Sequence, residues 1–352
     1  MKKISKIIII IMLVAIAIPA TILTVNNVFK NSSLDFISQE DGTYLARASN
    51  KNVTSVIIPS TYKGAPVVGI DSYGFQNCTA LTEINLPDSL KSIGNGAFYG
   101  CTELTRVIIP DGVTSIGLAA FSSCATLNFV KLPKSLTDIG DAAFAYCRAL
   151  NNVTIPESVV TIGARAFADC DNLSSLSFPI GSDQQSSLTT IGEEAFSNCN
   201  ALTTVFLPHT VTSIGAKAFY SCKSLTEVQL SDGLTSISDR MFFYCESLER
   251  VYIPKSVTFI GDFAFSQCDS LVSITFTGIG TIGRRAFSGC DDLSTIYSGI
   301  NLSRIEEYAF ESCDSLTRIL YYGTEDEISI VSVAPGNDCF TALTPEFISL
   351  AD

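Results

Sequence analysis

From Ile139 to Ile162 the chain reads Ile-Gly-Asp-Ala-Ala-Phe-Ala-Tyr-Cys-Arg-Ala-Leu-Asn-Asn-Val-Thr-Ile-Pro-Glu-Ser-Val-Val-Thr-Ile. Generalised to Ile-Gly-x-x-Ala-Phe-x-x-Cys-x-x-Leu-x-x-Val-x-Ile-Pro-x-x-Val-x-x, this unit has a period of 23 residues and recurs eleven times between Ile70 and Tyr321. A fixed period of that length marks a solenoid: one unit is too small to bury its own apolar face and buries it against the units on either side. The 352 residues therefore form one long array rather than two globular domains.

Each part of the unit has its own physical role. Alternation in Val-x-Ile, as at Val107 and Ile109 or Val153 and Ile155, predicts a short strand with one buried face. Proline follows at positions 87, 110, 133, 156, 179, 208 and 254 and removes the donor that would extend the strand. Val113 with Ile116, or Val211 with Ile214, then suits either a second short strand or a tight extended turn. Phe144, Cys147 and Leu150, spaced by three, predict a short helical turn with one face inward. The phenylalanines at 75, 98, 121, 144, 167, 196, 219, 242, 265, 287 and 310 should stack into an aromatic spine.

The chain divides into four parts. Residues 1–25 hold Lys2, Lys3 and Lys6 and the apolar run Ile7 to Ile18, and read as a secretory signal, cleaved after Ala17 or Ala20, or as an uncleaved membrane anchor extending to Val25. Residues 26–52 read as linker and N-terminal cap, 53–322 as the solenoid, and 323–352 as the C-terminal cap. Cys170 and Cys199 are 29 residues apart because Ile180 to Ser187 adds six, an insertion expected to leave the core untouched. Cys268 and Cys290 are 22 apart, and Ser298 then stands where an apolar residue is expected, so the pattern weakens there.

Net charge is -13, and -16 without the first twenty residues (19 basic against 35 acidic), which disfavours nucleic acid as a partner. Eleven of the twelve cysteines fill one repeat position. Stacked repeats keep such side chains parallel and about 4.8 Å apart or more, where a disulfide needs converging β-carbons about 3.8 Å apart, so free buried thiols are expected. Without CxxC pairs or partner histidines no zinc site is expected, and no other metal or cofactor. The single histidine, His209, follows Pro208 and reads as a solvated turn residue.

No nucleophile, phosphate-loop or calcium-loop motif occurs. The glycines at 278, 280 and 283 belong to the shortened turn of one repeat, and Asp291-Asp292 and Glu306-Glu307 stand where carboxylates cap free backbone N–H groups. What remains is the outward side of the Val-x-Ile strands. There Phe129, Phe206, Arg250, Tyr252 and Tyr297 stand out among small polar residues as binding anchors. Strand propensity alone would also place aromatic residues there.

The repeated unit, together with Tyr-Tyr-Gly-Thr at 321 to 324, resembles the BspA-like leucine-rich repeats of bacterial and some protist surface proteins, over about three quarters of the chain. The resemblance implies a right-handed leucine-rich repeat solenoid, mainly β with short helical turns and a parallel sheet on one side. It also implies an extracellular, non-enzymatic scaffold for adhesion or protein recognition, secreted or held at the cell surface. A monomer is expected, its partner an extracellular protein or glycan, with membrane contact only through an uncleaved N-terminus. The rival readings are a structural surface spacer, and a carbohydrate-active enzyme on a β-solenoid. The enzyme would need clustered carboxylates on one face, where the outward strand positions supply only Glu83 and Glu227.

Overall fold

The computed structural model describes residues 33–178 and 186–348. The 1–25 segment and most of the Ile180 to Ser187 insertion lie outside those residues. Within them the chain winds as a solenoid with three hydrogen-bonded edges per turn.

The Val-x-Ile segments form the first edge, strands such as Arg106–Ile108, Phe129–Lys131 and Asn152–Thr154 that pair in parallel, Val130 opposite Val107 and Val153 opposite Leu176. The second apolar pair of each repeat is also a strand, of two residues. Ile139 lies between Ile116 and Ile162 in a second parallel ladder. Between the two ladders the strands' inward residues are buried, Val107 and Ile109 for example, except at Arg250–Tyr252, where Val251 and the following Ile253 are only partly so. Where proline gives way to Thr277, Gly299 and Tyr322 the strands lengthen to Ser273–Phe276, Thr295–Gly299 and Arg318–Tyr322. The pattern therefore changes at Ser298 without ending. Ser298 is fully buried and pairs with Phe276 and Tyr321, two of the largest buried side chains, so a small residue lies between two large ones.

The third edge is the Ala-Phe-x-x-Cys segment. Cys147 and Leu150 face inward, and each donates its N–H to the carbonyl three residues back, at 3.2 and 3.0 Å. The turns do not run on into a helix, because two residues per repeat are left-handed, Ala142 at φ 51° and Tyr146 at φ 62°. That backbone sends alternate N–H groups out of the repeat: those of Ala142, Phe144 and Tyr146 donate to the carbonyls of Ala164, Ala166 and Ala168 at 2.7, 2.7 and 2.8 Å. Gly140 permits the close approach at the start of this edge, since a Cβ there would lie 2.6 Å from the Ile116 oxygen that its N–H needs.

The phenylalanines stack as the spacing predicts, with centroids 5.0 to 5.6 Å apart from Phe75 to Phe310. Phe167 and Phe196 keep 5.4 Å and 1° across the longest repeat, so the insertion does not disturb the spine. Burial of each ring contributes about 1.5 to 3 kcal/mol, with offset stacking adding about 0.5 to 1.5. Every cysteine is a free thiol. From Cys101 onward each Sγ donates to the phenylalanine carbonyl of the preceding repeat, Cys170 to Phe144 at 3.2 Å for example. Cysteine is thus a small apolar filler that also carries one donor.

The ends are closed differently. At the N-terminal end a hairpin of Leu34–Ser38 and Tyr44–Ala48 joins the second ladder, and Ala48 N donates to Gly74 O at 3.1 Å. At the C-terminal end Ser332–Val333 and Glu346–Phe347 extend both ladders, with helix α1 (Glu325–Ser329) before the first and α2 (Asp338–Thr341) between the two. No following repeat exists to accept the turn N–H groups of the last one, so Pro335 O accepts from Tyr308 N and the buried Asn337 Oδ1 accepts from Phe310 N, both at 3.0 Å. Asn337 Nδ2 donates to Glu306 O and Ala334 O, at 2.9 and 2.8 Å. Phe340 stacks on Phe310 at 5.2 Å and Cys339 donates to Phe310 O at 2.7 Å, so α2 continues both the spine and the thiol ladder.

Phe144→Ala should cost about 3 to 5 kcal/mol, whereas Lys131→Ala, on an exposed strand position, should shift melting little; equal shifts would mean the register is wrong. Asn337→Leu strands one buried donor and two carbonyls and should cost about 3 kcal/mol, with hydrogen exchange accelerated at Phe310. In the native protein alkylation should mark Cys339 first, since it alone of the twelve is only partly buried, while burial pushes Cys147 and Cys222 up to about 12. The eleven buried thiols should react only after unfolding.

Candidate functional site

The outward residues of the first ladder form two parallel rows, one from the first and one from the last residue of each three-residue strand. In the last-residue row Phe206 pairs with Gln229 and Gln229 with Tyr252. Further along, Thr275 pairs with Tyr297. The proline turn ends the strand just beyond this row, and the Val-side neighbours Val205 and Val228 are buried, so the aromatic rings can only face solvent.

Phe206 is 39% exposed and Tyr252 54%, two strands apart with Gln229 between them. Strands about 4.8 Å apart set these rings roughly 10 Å from each other. Tyr297 shares the row but is half-buried. Arg250 belongs to the first-residue row, opposite Glu227, and its Nη2 lies 3.8 Å from Glu227 Oε2. An exposed pair at that distance contributes little to stability and leaves the guanidinium free to reorient toward a ligand. Phe129 stands apart. It is half-buried in the first-residue row, three repeats before Phe206, with the Arg106 guanidinium 4.8 Å over its ring. The structure thus brings Phe206, Tyr252, Tyr297 and Arg250 onto one stretch of the face and leaves Phe129 outside it.

Two outward apolar residues of the same face are not singled out as anchors by the sequence, Ile57 at 65% and Ile108 at 46% exposure. The signal was present, since each stands at the outward position of its strand where most repeats carry a polar residue. The turn edge was missed more broadly: Tyr73, Tyr99, Tyr146 and Tyr244 are exposed there. Three of them occupy left-handed positions that a helical turn would not contain.

His209 is exposed at its turn. Among the described residues no group of three or more His, Cys, Asp or Glu side chains could hold a metal ion, and no helix is long and apolar enough to cross a membrane. The strand face thus carries spaced aromatic rings at Phe206 and Tyr252, the polar Gln229 between them and Arg250 in the adjoining row.

The profile of the BspA type leucine rich repeat region matches residues 68–188 and 189–317. The chain is similar to a leucine-rich repeat protein from Bacteroides ovatus, with 27% identity over 92% of this chain and 100% of that one, at a TM-score of 0.57. It is also similar to a leucine rich cell surface protein from Faecalibacterium prausnitzii, with 27% identity over 86% and 97% of the two chains and a TM-score of 0.56. No curated protein matches the chain.

Proposed function

The chain belongs to the BspA-type leucine-rich repeat family, and from that premise we propose that it is a non-enzymatic extracellular scaffold that recognises a protein or glycan through its strand face. The observation that carries this reading is the row of Phe206, Gln229 and Tyr252, three register-matched outward residues whose two rings stay exposed although the same fold buries every spine phenylalanine. Exposed aromatic residues lose apolar area to water without contributing to the core, and a partner that covers them recovers it. Spacing of roughly 10 Å between successive rings fits an extended chain better than a small metabolite.

Location outside the cytoplasm is supported by two things. The sequence opens with three lysines before the apolar run Ile7 to Ile18. A similar structure is described as that of a cell surface protein. Adhesion is then the role the scaffold fills, with the partner drawn from extracellular matrix proteins or cell-surface glycans.

The purified chain, screened against immobilised matrix proteins and a glycan array, should bind at least one. The double variant Phe206→Ser with Tyr252→Ser should lose that binding by tenfold or more while keeping the melting temperature. A ligand held equally well by the double variant places the site elsewhere.

A further inference from the structure

On the turn edge, opposite in kind to the strand face, lies a cleft of about 340 Å³ formed by repeats five to eight of the array, lined by Arg165, Glu194, Lys217, Tyr220, Arg240 and Phe243 among others. The volume falls within the range of small-ligand sites, roughly 300 to 1,000 Å³. We infer that this cleft binds an anionic saccharide, recognised by its carboxylate or sulfate groups and by the apolar face of a sugar ring.

Charge gives the first reason. Three cations face one carboxylate in the cleft, in a chain whose net charge is -13. Glu194 is shared by Arg165 at 3.2 Å and Lys217 at 2.9 Å, and Glu193 reaches Lys217 only at 4.0 Å. Arg240 has no carboxylate partner among the described residues and lies 4.8 Å over the Phe263 ring, its fork of donors available to an incoming anion.

Placement gives the second reason. Arg165, Glu194, Lys217 and Arg240 occupy the same left-handed position in four consecutive repeats, so four long charged side chains stand in line along the turn edge.

The aromatic wall decides between a sugar and a peptide. Tyr220 and Phe243, which line the cleft, are stacked at 5.5 Å and 12°, and Tyr244 meets Phe243 edge-on at 4.5 Å, so a cluster of three partly exposed rings borders it. Exposed aromatic surface of this kind packs against the C–H groups of a pyranose. A peptide in extended form would seek backbone partners, yet the N–H groups of residues 194 to 198 are all committed, those of Glu194, Phe196 and Asn198 to the carbonyls of Ala216, Ala218 and Tyr220. Recognition must therefore run through side chains.

Isothermal titration of the whole protein in 0.15 M salt tests this with four probes: hexagalacturonate, a sulfated glucan hexasaccharide, maltohexaose and hexaglutamate. At least one anionic saccharide should bind tenfold or more tighter than both maltohexaose and hexaglutamate, and which of the two binds separates carboxylate from sulfate recognition. Arg240→Gln and Lys217→Gln should each weaken it at least fivefold, while Lys91→Gln, an exposed lysine far from the cleft with the same charge loss, should change it less than twofold. Absence of binding, equal binding of maltohexaose or hexaglutamate, or equal loss in all three variants would overturn the inference. The strand-face residues are not varied, so failure here leaves that reading intact.

Discussion

The carbonyl of each spine phenylalanine is the point on which the repeats hang together. Phe144 O accepts the N–H of Cys147 within its own repeat and the thiol of Cys170 from the next, both at 3.2 Å. Phe144 N meanwhile donates forward to Ala166 O at 2.7 Å. One residue thus closes its own turn, accepts from the following repeat and donates to it, and its ring stacks on both neighbours. A buried backbone carbonyl with two lone pairs is expensive to leave half-paired, and a thiol is small enough to reach it without widening the stack. That accounts for cysteine, rather than alanine or valine, at one position in every repeat.

The strands, the spine and the cysteine column were legible because each has a residue-type signature at a fixed offset: alternation for the strand, volume for the spine, smallness for the thiol. The backbone of the turn was not. Its two left-handed residues are Ala142 and Tyr146 in one repeat, Lys217 and Ser221 in another, Phe263 and Gln267 in a third. No residue type is common to these positions, because the conformation is imposed by hydrogen bonds to the next repeat and not by local preference. Three-residue spacing of inward side chains looks the same whether the backbone is helical or a chain of turns. Asn337 is hidden for a related reason: a single amide reads as a cap only once its backbone partners in the last repeat are in place.

The surface shows the same division. Outward strand positions follow from alternation, so Phe206 and Tyr252 could be placed on one face from the sequence, and register then set Gln229 between them. What alternation does not give is the company each ring keeps. Phe129 lies beneath Arg106, a neighbour one repeat earlier in the same row, and is half-covered as a result. Pairing across a ladder is a property of two repeats, and the pattern of one repeat does not contain it.

This separation explains how one scaffold can carry two unlike surfaces. Most hydrogen bonds between repeats run between backbone groups or from the inward thiols, with exposed Thr and Asp side chains adding others, such as Asp141 Oδ1 accepting from Ala164 N at 2.8 Å, so the outward residue of a strand and the left-handed residue of a turn are tied to the fold mainly through their own backbone. Side chains there can change with little loss of register, at the strand face because any β-tolerant residue serves. At the turn the left-handed cost, about 1 kcal/mol, is offset by the forward hydrogen bond each such residue makes whatever its side chain. A repeat that binds its neighbours through the backbone leaves its exterior free to vary, as the left-handed turn positions from Tyr73 to Tyr308 and the outward strand positions from Ile57 to Tyr297 do, without altering the core between them.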